Sequence, residues 1–169
     1  MNNLITKRKV DETQKGFTII EVVLVLAIAG LIFLMVFIAL PALQRNQRDT
    51  QRKNDMARVQ TAIANYTTAN RGSLPADSTA WNSFVTNYLA VNGDSFIDPS
   101  GTKSTSTTYV FTASDEASLS TKFADSQNRI YYTAGYVCAN ASSDVVKSGS
   151  RKVAFRMALE GGGYICVNN

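Results

Sequence analysis

Residues 17–40 read FTIIEVVLVLAIAGLIFLMVFIAL, and Glu21 is the only charged residue among these 24. As a helix this stretch would be about 36 Å long, and the hydrocarbon core of a bilayer is about 30 Å thick. The alternative is a helix buried inside a soluble domain, which needs apolar neighbours on every side. The rest of the chain is rich in Ser, Thr, Asn and Ala and does not offer them. The stretch is therefore predicted to span a membrane.

The residues before the apolar stretch are basic, as they are in a cleaved secretory signal: Lys7, Arg8, Lys9 and Lys15. The apolar part of such a signal is only about 7 to 15 residues long and ends at a small-residue cleavage site. Here the apolar stretch is longer, and Pro41 and a strongly polar segment follow it. The pattern favours a segment that remains in the protein as an anchor.

A glycine and a carboxylate mark the start of the stretch, in the sequence KGFTIIE at residues 15–21. Gly16 allows the backbone to lie extended in a protease cleft, although an ordinary linker glycine is the alternative. Glu21 needs an explanation, because a charge at the centre of a membrane helix costs about 2.5 to 3.5 kcal/mol on insertion scales. Either the carboxylate reaches the headgroups from near the helix end, or it pairs with a positive charge of a neighbouring chain.

The basic leader, the Gly16–Phe17 junction and the acidic Glu21 resemble the processing motif of type IV prepilins. The resemblance implies that prepilin peptidase cuts after Gly16 on the cytoplasmic side and methylates the new N-terminus, Phe17. It implies that Glu21 pairs with the N-terminal amine of a neighbouring subunit during assembly. It also implies loss of helicity between Gly30 and Pro41, for which a gentle kink at the proline is the alternative.

After Pro41 the apolar residues Met56, Val59, Ile63 and Tyr66 recur at steps of three and four, which predicts an amphipathic stalk helix that stops near Gly72. The basic residues of its first turns are Arg45, Arg48, Arg52, Lys53 and Arg58. We expect them to form a solvated or inter-subunit face, and contact with anionic lipid or DNA is the alternative.

The connector after the stalk is predicted to contain one short helix around Trp81 that packs on a sheet, and the last third is predicted to be a β-meander. Its final hairpin alternates apolar and polar residues around a turn at residues 160–163, so that one face is buried. Symmetric pairing places Met157 opposite Cys166, with Cys166 on the core face.

The two cysteines, Cys138 and Cys166, are predicted to form a disulfide, because the domain is expected to be exported. Closing the loop of 27 intervening residues would stabilise the fold by about 3 to 4 kcal/mol. Two buried free thiols are the alternative. No metal site is expected, because two cysteines without any histidine do not complete a tetrahedral shell.

The expected fold class is α+β, the pilin fold: a long N-terminal helix, first membrane anchor and then amphipathic stalk, packed on a small antiparallel sheet. The expected parts are a leader (1–16), a transmembrane or filament-core helix (17–43), the stalk helix (44–72), the connector (73–108) and the sheet head (109–169).

The expected function is a structural subunit of a type IV pilus or pilus-like filament serving adhesion, twitching motility or DNA uptake. No histidine and no familiar catalytic motif are present, so we expect neither an enzyme nor a cofactor. The implied partners are other copies of the chain, prepilin peptidase, the assembly platform and motor proteins, and the lipid membrane before assembly. DNA is a further candidate, supported only by the basic residues.

The expected precursor lies in the inner membrane with its leader in the cytoplasm, and the assembled protein lies in a pilus at the cell surface. Two alternatives remain open at this stage. One is a pseudopilin of a type II secretion or competence machine, and the other is a monomeric membrane-anchored surface binding module.

Overall fold

A computed structural model describes residues 16–91, 93–94, 96–100, 108–114, 128–139 and 144–169. The predicted leader, apart from Gly16, lies outside the described residues. The chain divides into two compact units, which we call the N-terminal unit (Met1–Leu40) and the head unit (Pro41–Asn169). Each unit is described by itself. The fold is mixed α+β, with a long N-terminal helix and a small, mainly antiparallel sheet.

Helix α1 extends from Ile19 to Ala69 and contains Pro41. Proline has no backbone N–H to donate, yet the helix continues on both sides of it. Gly30 is also helical. The loss of helicity implied between these two residues is therefore not seen in this single chain.

The head-unit part of α1 buries one face, as its sequence predicts. Met56, Val59 and Ile63 are completely buried, and Tyr66 packs against the same core. After Ala69 the chain adopts left-handed backbone conformations at Arg71 (φ 56°) and Gly72 (φ 83°). Gly72 N donates to Thr67 O at 2.6 Å, so the helix ends in a glycine-containing cap.

Helix α2, Ser78–Phe84, continues into a π-helical turn, Val85–Leu89. Asp77 caps it by accepting a hydrogen bond from Ala80 N at 2.8 Å. Trp81 packs on the sheet, with its ring 4.2 Å from that of Tyr132. The predicted short helix around Trp81, lying on the sheet, is confirmed.

The main sheet has four strands in the order β1-β2-β5-β6, and β3 and β4 form a separate two-stranded sheet. The strands are β1 (Val110–Ala113), β2 (Arg129–Ala134), β3 (Tyr136–Cys138), β4 (Val145–Lys147), β5 (Val153–Ala158) and β6 (Tyr164–Asn168). Strands β1 and β2 are parallel, whereas the other pairs are antiparallel.

The predicted meander is therefore wrong in two places. A parallel pair needs a crossover of about a dozen residues or more, and residues 114–128 supply that length between β1 and β2. The chain also does not continue as a simple meander after β2, because Gly135, with a φ of 83°, lies between β2 and β3. The chain leaves the main sheet there, which places β3 and β4 in their own ribbon.

The register of the final hairpin differs by one residue from the prediction. Arg156 pairs with Cys166, and Met157 pairs with Ile165. The loop comprises the five residues 159–163, and Leu159 N donates to Gly163 O at 3.1 Å. Because neighbouring positions on a strand face opposite sides, this shift moves Cys166 to the opposite face. Cys166 therefore shares the face of Arg156, and its predicted position on the core face is wrong.

Strand β5 is buried along its whole length rather than on one face. It lies between β2 and β6 in the sheet, and the β3 strand is also close to it. Phe155 contributes to the main core, while Arg156 on the other face is completely buried and donates from Nη2 to the Thr133 hydroxyl at 2.8 Å. The predicted alternation of buried and exposed positions is therefore wrong for this strand.

Candidate membrane anchor and assembly site

Thr18 and Glu21 form a reciprocal cap at the start of α1. The backbone N–H and the hydroxyl of Thr18 both donate to Glu21 Oε2, at 2.8 and 2.7 Å. In return, Glu21 N donates to Thr18 Oγ1 at 3.3 Å. This is the capping-box arrangement of a Ser or Thr followed three residues later by Glu or Gln. The single carboxylate in the apolar stretch is thus held at the positive end of its own helix.

The N-terminal unit exposes an apolar helix surface. Helix α1 contains an 18-residue window with a mean hydropathy of 3.2, and none of that window is buried. A core helix of a soluble protein would be mostly buried, so this observation disfavours that alternative. By length and composition, α1 is the one helix among the described residues that is able to cross a membrane.

The predicted processing and assembly residues lie close together at the beginning of this helix. Phe17 is 90% exposed, and it lines a shallow concavity of about 520 Å³ together with Glu21, Val22, Val25 and Leu26. A side chain added at Gly16 would meet nothing within 4 Å. Packing within the chain therefore does not explain why residue 16 is a glycine. Gly30 and Pro41 lie farther along α1, away from this group.

Cys138 and Cys166 form a disulfide, with a Cα–Cα distance of 5.9 Å. The bond connects the end of β3 to strand β6. Cys138 N also donates to Asn168 Oδ1 at 3.3 Å. The predicted disulfide is confirmed, although Cys166 does not lie on the core face of the sheet as predicted.

Replacing both cysteines by serine is expected to lower the free energy of unfolding by about 3 to 4 kcal/mol, because the unfolded chain regains the freedom of the closed loop. The measurement is urea unfolding of the full chain in a non-ionic detergent, followed by the fluorescence of Trp81, the single tryptophan. The wild-type chain under reducing conditions is the matched control and should lose the same amount. Equal stability of the variant and the oxidised wild-type chain would contradict the prediction.

A buried charge cluster, which we define as Asp49, Arg52, Asp98 and Glu160, joins three parts of the head unit. The fully buried Arg52 donates from Nε and Nη2 to the two oxygens of Asp98, at 2.8 and 2.9 Å. It also donates to Asp49 Oδ1 at 3.1 Å and to Glu160 Oε1 at 2.9 Å. Arg48, which is not part of the cluster, donates hydrogen bonds from Nε and Nη2 to the carboxylate of Glu160.

The cluster fixes the loop between β5 and β6 on helix α1. Asp49 accepts hydrogen bonds from Glu160 N at 2.8 Å and from Gly161 N at 2.7 Å. Asp98 accepts one from Ser100 N at 2.9 Å, so its carboxylate also holds the local turn of the connector. Helix α1, the connector and the final hairpin are therefore linked through one guanidinium group.

The arginine and the hydrogen bonds keep the carboxyl groups of the cluster ionised. Arg48 and then Arg52 lower the pKa of Glu160, against the opposing effect of burial. Burial alone would raise the pKa of Asp98, but Arg52 and Ser100 lower it below its ordinary value. Burial likewise opposes ionisation of Asp49, and the amides of Gly161 and Glu160 together with Arg52 lower its pKa.

Arg58 forms a second ion-pair group beside the first. It donates to Asp94 Oδ2 at 2.6 Å and to Leu89 O at 3.1 Å, and it lies 3.4 Å from Asp55 Oδ1. Burial raises the pKa of Asp55, whose other oxygen accepts a hydrogen bond from the Tyr109 hydroxyl at 3.0 Å. The expectation of a solvated basic face is therefore wrong for Arg48, Arg52 and Arg58 and agrees only with the exposed Arg45 and Lys53.

Sequence reasoning did not find the charge cluster, although a signal was present. Asp49 and Arg52 continue the three- and four-residue spacing of the apolar stripe toward the N-terminus. A charged residue on the buried stripe of a helix needs a buried partner. In the part of the chain that the structure describes, no three Asp, Glu, Cys or His side chains are placed to hold a metal ion.

The exposed apolar helix and the disulfide-linked sheet define an α+β protein whose described residues contain one candidate membrane anchor. Residues 13–37 match the family model of the prokaryotic N-terminal methylation motif, which is the type IV prepilin leader signature. The match covers 25 of the 169 residues and includes Gly16, Phe17 and Glu21. No curated protein and no solved structure is significantly similar to this chain.

Proposed function

We propose that this chain is the subunit of a type IV pilus or a pilus-like filament. Its precursor lies in the inner membrane through the apolar part of α1, is cleaved after Gly16 and is methylated at Phe17. The mature subunit then joins a filament through its N-terminal helix. The observation that carries the proposal is the prepilin leader signature at residues 13–37, which overlaps an exposed apolar helix.

The geometry around Glu21 supports assembly through α1. The carboxylate binds the Thr18 amide and hydroxyl through Oε2, and no donor among the described residues is found at Oε1. The concavity that Glu21 lines with Phe17 presents an apolar surface next to this charge. A neighbouring helix with a protonated N-terminal amine supplies both an apolar face and the matching charge. In a low-dielectric surrounding this ion pair fixes the stagger of two helices.

A pseudopilin of a secretion or competence machine is an alternative within the same class, because the leader signature and the apolar helix are compatible with either kind of subunit.

A monomeric membrane-anchored binding module is the alternative from a different class. Microscopy of material sheared from cells separates the rivals: long fibres that contain this chain support the pilus, whereas a detergent-soluble monomer without fibres supports the module. Deleting the gene and counting fibres then distinguishes a major subunit from a minor one.

Intact-mass measurement of sheared filaments is expected to show a chain that starts at methylated Phe17. Cleavage removes Lys7, Arg8, Lys9 and Lys15 together with Asp11 and Glu12, so the formal charge changes from +4 to +4 − 4 + 2 = +2. A Gly16→Val precursor is the control and should retain its leader, because the side chain obstructs the extended backbone in the peptidase cleft. Extracellular fibres of uncleaved chains would contradict the proposed processing.

A further inference from the structure

The concavity at the start of α1 combines a carboxylate with an apolar floor. It is lined by Phe17, Glu21, Val22, Val25 and Leu26, which follow one stripe of the chain from residue 17 to residue 26, a rise of about 14 Å along a helix. Val25 and Leu26 are 62% and 65% exposed, so the described residues leave this stripe uncovered. The surface fits a partner that is apolar along most of its length and positively charged at one end.

The charge of Glu21 is not matched within the described residues. Thr18 supplies two neutral donors to Oε2, at 2.8 and 2.7 Å, and none of the salt bridges found there involves Glu21. Residues 16–44 contain no lysine or arginine. In the uncleaved chain the nitrogen of Phe17 is a peptide amide rather than an amine, so it brings no positive charge. A carboxylate in apolar surroundings needs a compensating partner, which must therefore come from elsewhere.

Helix length places Glu21 at the boundary of the hydrocarbon core. The 19 residues at positions 22–40 carry no charge, and a helix of that length extends about 28 Å. The hydrocarbon core of a bilayer is about 30 Å thick. When this segment spans the membrane, Glu21 therefore lies where the lipid headgroups meet the acyl chains. Val22, Val25 and Leu26 then lie among the acyl chains.

We propose that this concavity binds a phospholipid whose headgroup carries a primary ammonium, that is, an ethanolamine phospholipid. The ammonium donates to the carboxylate of Glu21, and one acyl chain lies along Val25 and Leu26. A primary ammonium has three N–H donors, and a hydrogen bond with an ionised partner is about twice as strong as a neutral one. A choline headgroup has no N–H to donate, and the carboxylate repels an anionic headgroup that has no amine.

This inference deepens the proposed function and rests on it in one respect. The lipid occupies the surface that we assign to the helix of an incoming subunit. It keeps the charge of Glu21 paired while the chain is in the membrane, and it leaves when assembly begins. Lipid binding itself is measured without any filament, so failure of one proposal is distinguishable from failure of the other.

The test uses the uncleaved full chain in a non-ionic detergent and native mass spectrometry with added dioleoyl lipids. The lipids are phosphatidylethanolamine, its N-methyl and N,N-dimethyl derivatives, and phosphatidylcholine, which have the same acyl chains and phosphate. Affinity should fall along this series, because each methyl group replaces one N–H donor. The first lipid should bind at least about tenfold more tightly than the last.

Three variants assign the binding to the charge and to the concavity. Glu21→Gln keeps an acceptor for the cap with Thr18 but has no charge, so the preference should fall to about threefold or less. Val25→Trp places a large ring in the concavity and should weaken binding of all the lipids to the same degree. The matched control Val36→Trp adds the same side chain at a 43% exposed position outside the concavity and should change neither affinity nor preference. Valine and tryptophan have similar helix propensities, and circular dichroism verifies the helix in each variant.

The proposal is wrong if phosphatidylcholine binds the wild-type chain as tightly as phosphatidylethanolamine does. That result would mean that another cation, such as Lys15 of the leader, neutralises Glu21. It is also wrong if Glu21→Gln retains the full preference, or if Val36→Trp weakens binding as much as Val25→Trp. All of these measurements are made on the uncleaved monomer, so a chain that binds the lipid but forms no fibres would contradict the proposed function alone.

Discussion

Cells that produce only the Glu21→Val chain are expected to contain cleaved subunit in the membrane and to lack surface fibres. Insertion should be as good as in the wild type, because the substitution removes a charge from the apolar stretch. Cleavage should continue, because the leader and Gly16 are untouched. Assembly should fail, because the N-terminal amine of an incoming subunit has no carboxylate to pair with in the bundle. Fibre counts by microscopy and immunoblots of membrane and sheared fractions measure the two outcomes.

Two further substitutions separate charge pairing from helix capping. Glu21→Gln keeps a side chain that accepts hydrogen bonds from Thr18, as glutamine does in a capping box, but it has no charge. If pairing is the role of Glu21, this variant should also lack fibres. Thr18→Val removes the hydroxyl bound to the carboxylate, weakens the cap by about 1 kcal/mol and should retain assembly in part. Normal numbers of fibres built from Glu21→Val chains would contradict the pairing role.

Replacing Arg52 by methionine is expected to lower the free energy of unfolding by about 3 to 5 kcal/mol at neutral pH. Removing one partner of a buried ion pair leaves the other charges without compensation, and here three carboxylates face one guanidinium group. Arg48 still binds Glu160 after the substitution, but Asp98 loses both of its hydrogen bonds to Arg52. Urea unfolding followed by Trp81 fluorescence gives the difference.

The matched control for this substitution is Asp94→Asn, which breaks the more exposed pair with Arg58. Exposed pairs contribute about 0 to 1 kcal/mol, so the control should be close to wild type. A loss in Arg52→Met no larger than in the control would show that the buried cluster does not stabilise the head unit.

The cost of Arg52→Met is expected to depend on pH. Because the pKa values of Asp49, Asp98 and Glu160 are lowered in the folded chain, their contribution is present above their unfolded pKa of about 4. It is lost as the pH falls through their folded values. The difference between wild type and variant should therefore shrink below pH about 4. Asp55, whose pKa burial raises, acts in the opposite direction in both chains and cancels in the comparison.

Local patterns in the sequence predicted the helices well. The apolar stretch and the three- and four-residue spacing of Met56, Val59 and Ile63 depend only on neighbours along one helix. The disulfide was predicted from the expected export of the domain and from a placement of Cys166 on the core face; the pairing is confirmed, but that placement is wrong. The candidate site at Gly16, Phe17 and Glu21 could also be proposed from the sequence, because its residues lie within one short motif, and its role stays a prediction.

What the sequence did not predict depends on contacts between distant segments. Arg52 meets Asp98 across 46 residues and Glu160 across 108, and no local pattern specifies such pairs. The parallel pairing of β1 with β2 depends on how the chain returns across the sheet. In the hairpin, the three consecutive glycines suggested a short turn, but the loop closes between Leu159 and Gly163 and so shifts every facing pair by one position.

The disulfide between β3 and β6 also limits how far the head unit extends under mechanical load. The 27 residues between Cys138 and Cys166 would lengthen the chain by about 90 Å if they were pulled straight. With the bond intact, a force that unravels the surrounding chain passes through the two sulfur atoms and bypasses β4, β5 and the hairpin loop. When force is applied to the chain outside the loop that the disulfide closes, the residues between Cys138 and Cys166 carry no tension along the backbone. Glu160 lies within this loop and is therefore shielded.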